Sequence, residues 1–129
     1  MLKVILIMIG GGLGAAFRHG LFVFIQGLTT LSFPFGTLSV NLAGSFLIGL
    51  LWGLFENSHI SPELRLFLFT GLLGGFTTFS TFVREITQLF KVGQWKEAIL
   101  YMGISNILGI VLVIIGFFSA HQIIISMRS

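Results

Sequence analysis

The residues of this chain that could do chemistry lie inside long apolar segments, where each polar side chain is costly and marks a candidate functional site. The densest group is the string TTFSTF at residues 77–82, which follows the glycine-rich run GLLGG at residues 71–75. Paired glycines followed by paired threonines favour a break in a helix. A break releases backbone carbonyl and amide groups, which a membrane tolerates only where they face protein, water or an ion. The string therefore predicts a site at a helix break, with a merely flexible or tightly packed segment as the alternative.

Two aromatic rings within this string could contact an anion. Phe79 and Phe82 are three residues apart, so both rings can face the same side of a helix. The edge of a phenyl ring carries positive potential, so edge-on rings can stabilise a small desolvated anion. Ser80 and Thr81 add hydroxyl donors beside them. The chain has 15 phenylalanines, so ordinary core or lipid contact is the alternative for the rings.

Polar residues at a spacing of four mark one face of each of two further segments. Thr37, Asn41 and Ser45 share a helical face, which could line a wet groove. Alternatively, the amide of Asn41 only links helices by hydrogen bonds. Tyr101 and Ser105 are also four residues apart, and they predict either a lining of the same path or hydrogen bonds to the backbone.

Charged side chains are rare within the apolar segments. Arg18 lies about two-thirds of the way along the first apolar segment. Its position indicates either a pore or vestibule residue or a side chain that snorkels to the interface. Glu85 lies beside Arg84, late in the third apolar segment. This position indicates an interfacial pair or a charge at a pore mouth. The sequence shows no cysteine, nucleophile–base pair, metal-ligand spacing or phosphate loop. It therefore argues against an enzyme, and donors without further buried acids favour an anion over a cation.

Composition predicts the elements that position these residues. Of 129 residues, 55% are hydrophobic and 9% are charged, whereas a soluble domain has about 25% charged residues and a polar exterior. A membrane-spanning helix needs about 20 mostly apolar residues. Four segments qualify, at residues 4–25, 36–55, 63–90 and 95–125, and their connections are short. The sequence thus predicts a single all-α membrane domain over residues 1–129, and its scattered basic residues predict no nucleic-acid partner.

Two features predict self-association. Four helices without an internal repeat seal a pathway poorly, and small residues such as Ser45, Gly49 and Gly53 predict a close-packing face. The six basic residues other than Arg18 divide evenly between the two sides of the membrane, so the positive-inside rule sets no orientation. One side has Lys3, Arg65 and Arg128, and the other has Arg84, Lys91 and Lys96. A chain without orientation bias can insert both ways, which predicts an antiparallel homodimer.

Three stretches of the chain together resemble the Fluc (CrcB-like) family of bacterial fluoride channels. They are GxxGAxxR at residues 11–18, PxGTLxVNLxGSF at residues 34–46 and GGFTTFSTF at residues 74–82. They span the first three helices in the expected order, and the length and four-helix plan fit the whole chain. The fourth helix resembles the family mostly through Tyr101 and Ser105.

The resemblance implies an antiparallel, dual-topology homodimer in the bacterial cytoplasmic (inner) membrane, with two pores that are each lined by both subunits. The implied fluoride pore comprises the rings of Phe79 and Phe82, the amide of Asn41 and the polar side chains of Thr37, Ser80, Thr81, Tyr101 and Ser105. Arg18 is implied near a vestibule and Glu85 near a pore mouth. A broken third helix would hold a central structural sodium ion through the backbone carbonyls of Gly74 and Thr77 of both subunits.

The implied activity is passive export of cytoplasmic fluoride, with a second copy of the chain, the lipid bilayer, fluoride and sodium as partners. Two rival functions remain at this point. A small dual-topology multidrug exporter shares the length but requires a mid-membrane glutamate in its first helix, where this chain has Arg18. A structural membrane subunit would explain the glycines but not the TTFSTF string.

Overall fold

The computed structural model describes residues 1–128 and is all-helical. Its elements in chain order are α1 (Leu2–Gln26), α2 (Phe35–Phe55), α3 (Pro62–Arg65), a π-helical segment (Leu66–Leu73), α4 (Gly74–Phe76), α5 (Phe79–Lys91) and α6 (Trp95–Arg128). Four helical stretches are long and apolar enough to cross a membrane: α1, α2, the composite span Pro62–Lys91, and α6. The prediction of an all-α protein with four membrane-spanning helices is therefore confirmed.

The third span changes its backbone geometry along its length. It begins with Ser61 as N-cap, whose Oγ accepts a hydrogen bond from the N–H of Leu64 at 3.1 Å, and with Pro62 in the first turn. The π-helical segment follows, and α4 then ends at Phe76. Thr77 and Thr78 have extended backbone angles (ψ 159° and 119°), and α5 starts again at Phe79 with Thr78 as its N-cap. Two threonines thus separate two helical pieces within one span.

Glycines allow backbone-to-backbone packing between the spans. A Cβ at Gly14 of α1 would overlap the carbonyl oxygen of Leu72 in the π-helical segment. A Cβ at Gly49 of α2 would likewise overlap the carbonyl oxygen of Val113 in α6. The small-residue stripe predicted at residues 45, 49 and 53 therefore packs α2 against α6 of the same chain.

Polar contacts among helix ends and connections show which elements lie at each end of the bundle. Gln26 at the end of α1 contacts Gly36 at the start of α2, and Ser32 in the connection between them contacts Gln94, just before α6. At the opposite end Glu56 follows α2 and pairs with His121 of α6, with Oε2 and Nε2 3.4 Å apart. The four spans therefore alternate in direction, and each end of the bundle receives three of the six basic residues outside Arg18.

The buried apolar cluster lies between α2, α5 and α6. It contains Leu38, Phe82, Leu89, Ala98 and Tyr101. Large apolar side chains are otherwise exposed along α1 and α6, as a surface that meets lipid or another chain requires.

Candidate functional site

Asn41 on α2 bridges the two helical pieces of the third span. Its Oδ1 accepts a hydrogen bond from the Thr78 N–H at 2.9 Å, and its Nδ2 donates to the Thr78 carbonyl at 3.0 Å. The amide thereby supplies partners for backbone groups at the extended residues, which would be costly to leave unpaired in a membrane. The helix-linking role considered for Asn41 is therefore observed. Because Nδ2 carries two N–H bonds, a second donor is left for another acceptor.

An open groove of about 350 Å³ lies beside this bridge. Its lining includes Asn41 and Ser45 of α2 together with Gly74, Thr77 and Phe79 of the third span. The Ser45 hydroxyl donates to the Asn41 carbonyl at 2.9 Å, so it reinforces its own helix. The predicted polar face of α2 therefore meets the interruption of the third span at an accessible groove.

The carbonyls of Gly74 and Thr77 lie where regular helical hydrogen bonding is lost. A continuous helix would aim the N–H groups of Thr78 and Thr81 at these two oxygens. Instead the Thr78 N–H donates to Asn41, and the Thr81 N–H donates to the Thr78 hydroxyl at 3.3 Å. Interrupted helices in membrane proteins coordinate Na⁺ through such carbonyls, so the residues present fit a sodium ion. Residues 1–128 contain no cluster of three or more His, Asp or Glu side chains that could hold a metal.

A second polar group joins α2, α5 and α6 through the carboxylate of Glu85. The Thr37 hydroxyl donates to Oε2 and the Tyr101 hydroxyl to Oε1, both at 2.9 Å. Thr37 and Tyr101 are 1% and 0% exposed, so these bonds are shielded from the surface of the chain. Glu85 makes no ion pair with Arg84; within residues 1–128 the one carboxylate that lies within 4.0 Å of a basic side chain is that of Glu56, beside His121. Both hydroxyls thus serve a side-chain carboxylate rather than the backbone.

The two rings of the third span differ in their surroundings. Their centroids are 6.1 Å apart with an interplanar angle of 47°. Phe82 is 9% exposed and meets Tyr101 edge-on at 5.0 Å, whereas Phe79 is 76% exposed within the single chain. Phe79 therefore points out of the subunit beside the groove, where lipid or a second chain must cover it.

The remaining predicted residues are distributed around these two groups. Arg18 Nε donates to the Gly75 carbonyl at 3.0 Å, so its side chain turns into the protein. It lines a cavity of about 170 Å³ together with His19, Thr37 and Thr81. Ser80 is exposed. The Ser105 hydroxyl is buried and has no hydrogen-bond partner within residues 1–128.

Sequence reasoning did not single out Phe22 and Gln26, which line a further cavity next to Glu85. A signal was present, because Arg18, Phe22 and Gln26 follow one another at a spacing of four and share a face of α1. Gln26 ends the apolar segment, where polar residues are ordinary, so its type alone carried no information.

The fold and the site define a small multi-pass membrane protein whose spans gather hydroxyl, amide and aromatic groups around an interrupted helix. The chain belongs to the family of CrcB-like proteins (Camphor Resistance), whose profile matches residues 5–117. The resemblance found in the sequence is thereby confirmed.

Relatives of this chain carry the name "Fluoride-specific ion channel FluC". The protein of Parabacteroides distasonis is 48% identical over 124 residues, which cover 96% of this chain and 97% of the relative. The protein of Desulfotalea psychrophila is 44% identical over 125 residues, or 97% of each chain. The protein of Shewanella frigidimarina is 45% identical over 116 residues, or 90% of this chain and 94% of the relative.

Proposed function

We propose that this protein is a fluoride-selective channel that lets fluoride leave the cytoplasm passively across the bacterial inner membrane. The observation that carries the proposal is the 48% identity to a relative named as a fluoride-specific ion channel over 96% of this chain. The geometry supports it, since the spans hold groups that can still donate a hydrogen bond to an anion, namely the second N–H of Asn41 and the buried Ser105 hydroxyl.

Fluoride is small and strongly hydrated, so a narrow path must replace its water with protein contacts that remain weak enough to release it. The contacts would come from the ring edges of Phe79 and Phe82, the second N–H of Asn41, and hydroxyl groups. The hydroxyl groups would be those of Ser80, Thr81 and Ser105, together with those of Thr37 and Tyr101. The last two each have a single O–H, which would have to turn from the Glu85 carboxylate towards the ion. Ser105 supports this role because its buried hydroxyl lacks a partner in the isolated chain. Arg18 would lie near the vestibule and Glu85 near the mouth of the path.

The channel would be an antiparallel homodimer with two pores, each lined by both subunits. The 76% exposure of Phe79 beside the groove supports this arrangement, because a lone subunit leaves one of the two rings outside. The equal division of basic residues between the two ends of the bundle supports insertion in both orientations.

A structural sodium ion would bind at the centre of the dimer through the carbonyls of Gly74 and Thr77. The ion would supply a fixed positive charge for backbone oxygens that have lost their regular helical partners. Asn41 and the Thr78 hydroxyl would keep those oxygens available, since they hold the competing N–H groups.

The test is fluoride efflux from liposomes that contain the purified protein, followed with a fluoride electrode. We expect fast fluoride efflux without chloride efflux, and its loss in Phe79→Ile. Phe24→Ile is the matched control, because Phe24 is exposed on α1 at 63% and lies outside the site. No efflux above empty liposomes from a folded dimer, or equally fast chloride efflux, would contradict the proposal.

A further inference from the structure

A separate cavity of about 150 Å³ lies at the end of the bundle where α1 and α5 finish and α2 begins. Its polar lining includes two side-chain amides, those of Gln26 and Gln88, and the guanidinium of Arg84. Glu85 also belongs to the group with Thr37 and Tyr101 described above, and it lines this cavity. The cavity opens at helix ends, so it lies at a surface of the membrane domain rather than at its middle.

This cavity adjoins the one that Arg18 lines. Phe22 contributes to the wall of both cavities. Thr37 lines the Arg18 cavity and donates its hydrogen bond to Glu85, which lines the other. The cavity lined by Gln26, Arg84 and Gln88 is therefore an outer chamber. The Phe22 ring and the Thr37–Glu85 hydrogen bond lie between this chamber and the Arg18 cavity in the polar interior.

The orientation of the Gln26 amide is fixed by its contact with α2. Its Oε1 accepts a hydrogen bond from the Gly36 N–H at 3.0 Å, so the oxygen must face α2 and the nitrogen must face away. Gly36 leaves room for this contact, since a Cβ there would lie 2.6 Å from the Phe22 ring and 3.0 Å from Oε1. The hydrogen bonds within residues 1–128 leave both N–H donors of Nε2 for the cavity.

The hydrogen-bond donors of the chamber favour an anion over a cation, whereas its one guanidinium and one carboxylate balance in charge. Arg84 supplies a permanent positive charge and several N–H donors, and the two amides add more. The one carboxylate, Glu85, already accepts hydrogen bonds from Thr37 and Tyr101, which stabilise its charge from the opposite side. A cation would meet the guanidinium of Arg84, and each oxygen of the one carboxylate already accepts a hydrogen bond from a hydroxyl group.

We propose that Gln26, Arg84 and Gln88 form an entry site for a small monovalent anion such as a halide, outside the Phe22 ring. The anion exchanges part of its water shell for amide and guanidinium N–H groups here, before it reaches the hydroxyl-lined interior. This inference rests on the proposed channel function and adds a binding step at the mouth of the path.

The decisive variant is Gln26→Glu, measured by efflux from liposomes over a series of fluoride concentrations. The glutamate keeps an oxygen for the Gly36 N–H but replaces both N–H donors with a second, negatively charged oxygen. We expect fluoride efflux at low fluoride to fall about tenfold, equivalent to ~1.4 kcal/mol, and the deficit to shrink at high fluoride. If Gln26 merely holds the start of α2, the retained acceptor predicts no change.

Arg84→Gln tests the charge independently of the helix contact. We expect an efflux rate about threefold lower at low ionic strength, with the difference fading as salt screens the charge. Lys91→Gln is the matched control, because it removes a positive charge from the exposed end of the same helix, two turns further on, without lining the cavity. Circular dichroism and the elution volume of each variant establish that it is folded.

The outcomes separate the two proposals. A wild-type protein that passes no fluoride would overturn the channel function and this inference with it. A conducting wild type, with Gln26→Glu and Arg84→Gln both unchanged at every fluoride concentration, would overturn the entry site alone. An equal loss in Lys91→Gln and Arg84→Gln would also overturn it, since general surface charge would then explain the effect.

Discussion

At the scale of single residues, Asn41 makes two hydrogen bonds to one partner, Thr78, and no other side chain bridges the interruption in this way within residues 1–128. Asn41→Leu keeps a similar size but leaves the Thr78 N–H and carbonyl unpaired. Each buried unpaired group costs about 1–3 kcal/mol, so we expect a clearly lower unfolding temperature. Thermal unfolding in detergent, followed by the fluorescence of Trp52 and Trp95, measures it.

Asn106→Leu provides the control for that substitution. Asn106 is exposed on α6, and its Nδ2 donates to the Met102 carbonyl, which already lies within a regular helix. We expect the unfolding temperature of this variant to stay close to that of the wild type. Equal unfolding temperatures for the two variants would contradict the bridging role of Asn41.

The same scale shows what local spacing can and cannot predict. Intervals of four residues placed Thr37 with Asn41 and Tyr101 with Ser105, because helix geometry alone determines which residues share a face. The contacts of Glu85 with Thr37 and Tyr101 join residues 48 and 16 positions apart. Such contacts depend on how three helices pack, so the sequence suggested only an interfacial pair with Arg84 or a charge at a pore mouth.

At the scale of elements, α1 offers two glycines that face different surroundings. A Cβ at Gly14 would overlap the Leu72 carbonyl, whereas a Cβ at Gly12 would meet nothing within 4 Å. We expect Gly14→Ala to force α1 away from the third span, at a cost of about 1–3 kcal/mol or more. Gly12→Ala should leave the unfolding temperature unchanged or raise it, because alanine favours helix. Equal unfolding temperatures for the two variants would show that α1 does not pack at backbone distance there.

The element boundaries were predictable where the bilayer sets them. Segments of about 20 apolar residues located all four spans, since the thickness of the hydrocarbon core imposes that length. The helices exceed the apolar segments where polar residues continue them, so α1 reaches Gln26 and α6 reaches Arg128. The π-helical segment had no signal, because the residues at 66–73 are ordinary apolar helix formers apart from Thr70 and Gly71.

At the scale of the whole molecule, the structure confirms four spans, but the orientation of each copy in the membrane stays a prediction. The loop after α2 and the connection before it lie at opposite ends of the bundle, as the Glu56–His121 and Ser32–Gln94 contacts show. Each end carries three of the basic residues that can direct insertion. With no difference between the ends, the free energies of the two orientations should be nearly equal.

The absence of cysteine allows this orientation to be measured directly. Single cysteines introduced as Ser58→Cys and Thr30→Cys lie in exposed connections at opposite ends of the bundle. In membrane vesicles, an impermeant thiol reagent should label about half of the molecules of each variant, because both orientations occur in equal numbers. Adding Asn57→Lys and His59→Lys to Ser58→Cys should shift labelling towards one side, since two new positive charges favour the cytoplasm. Full labelling of one variant and none of the other, before any charge is added, would mean a single orientation and would exclude the antiparallel dimer.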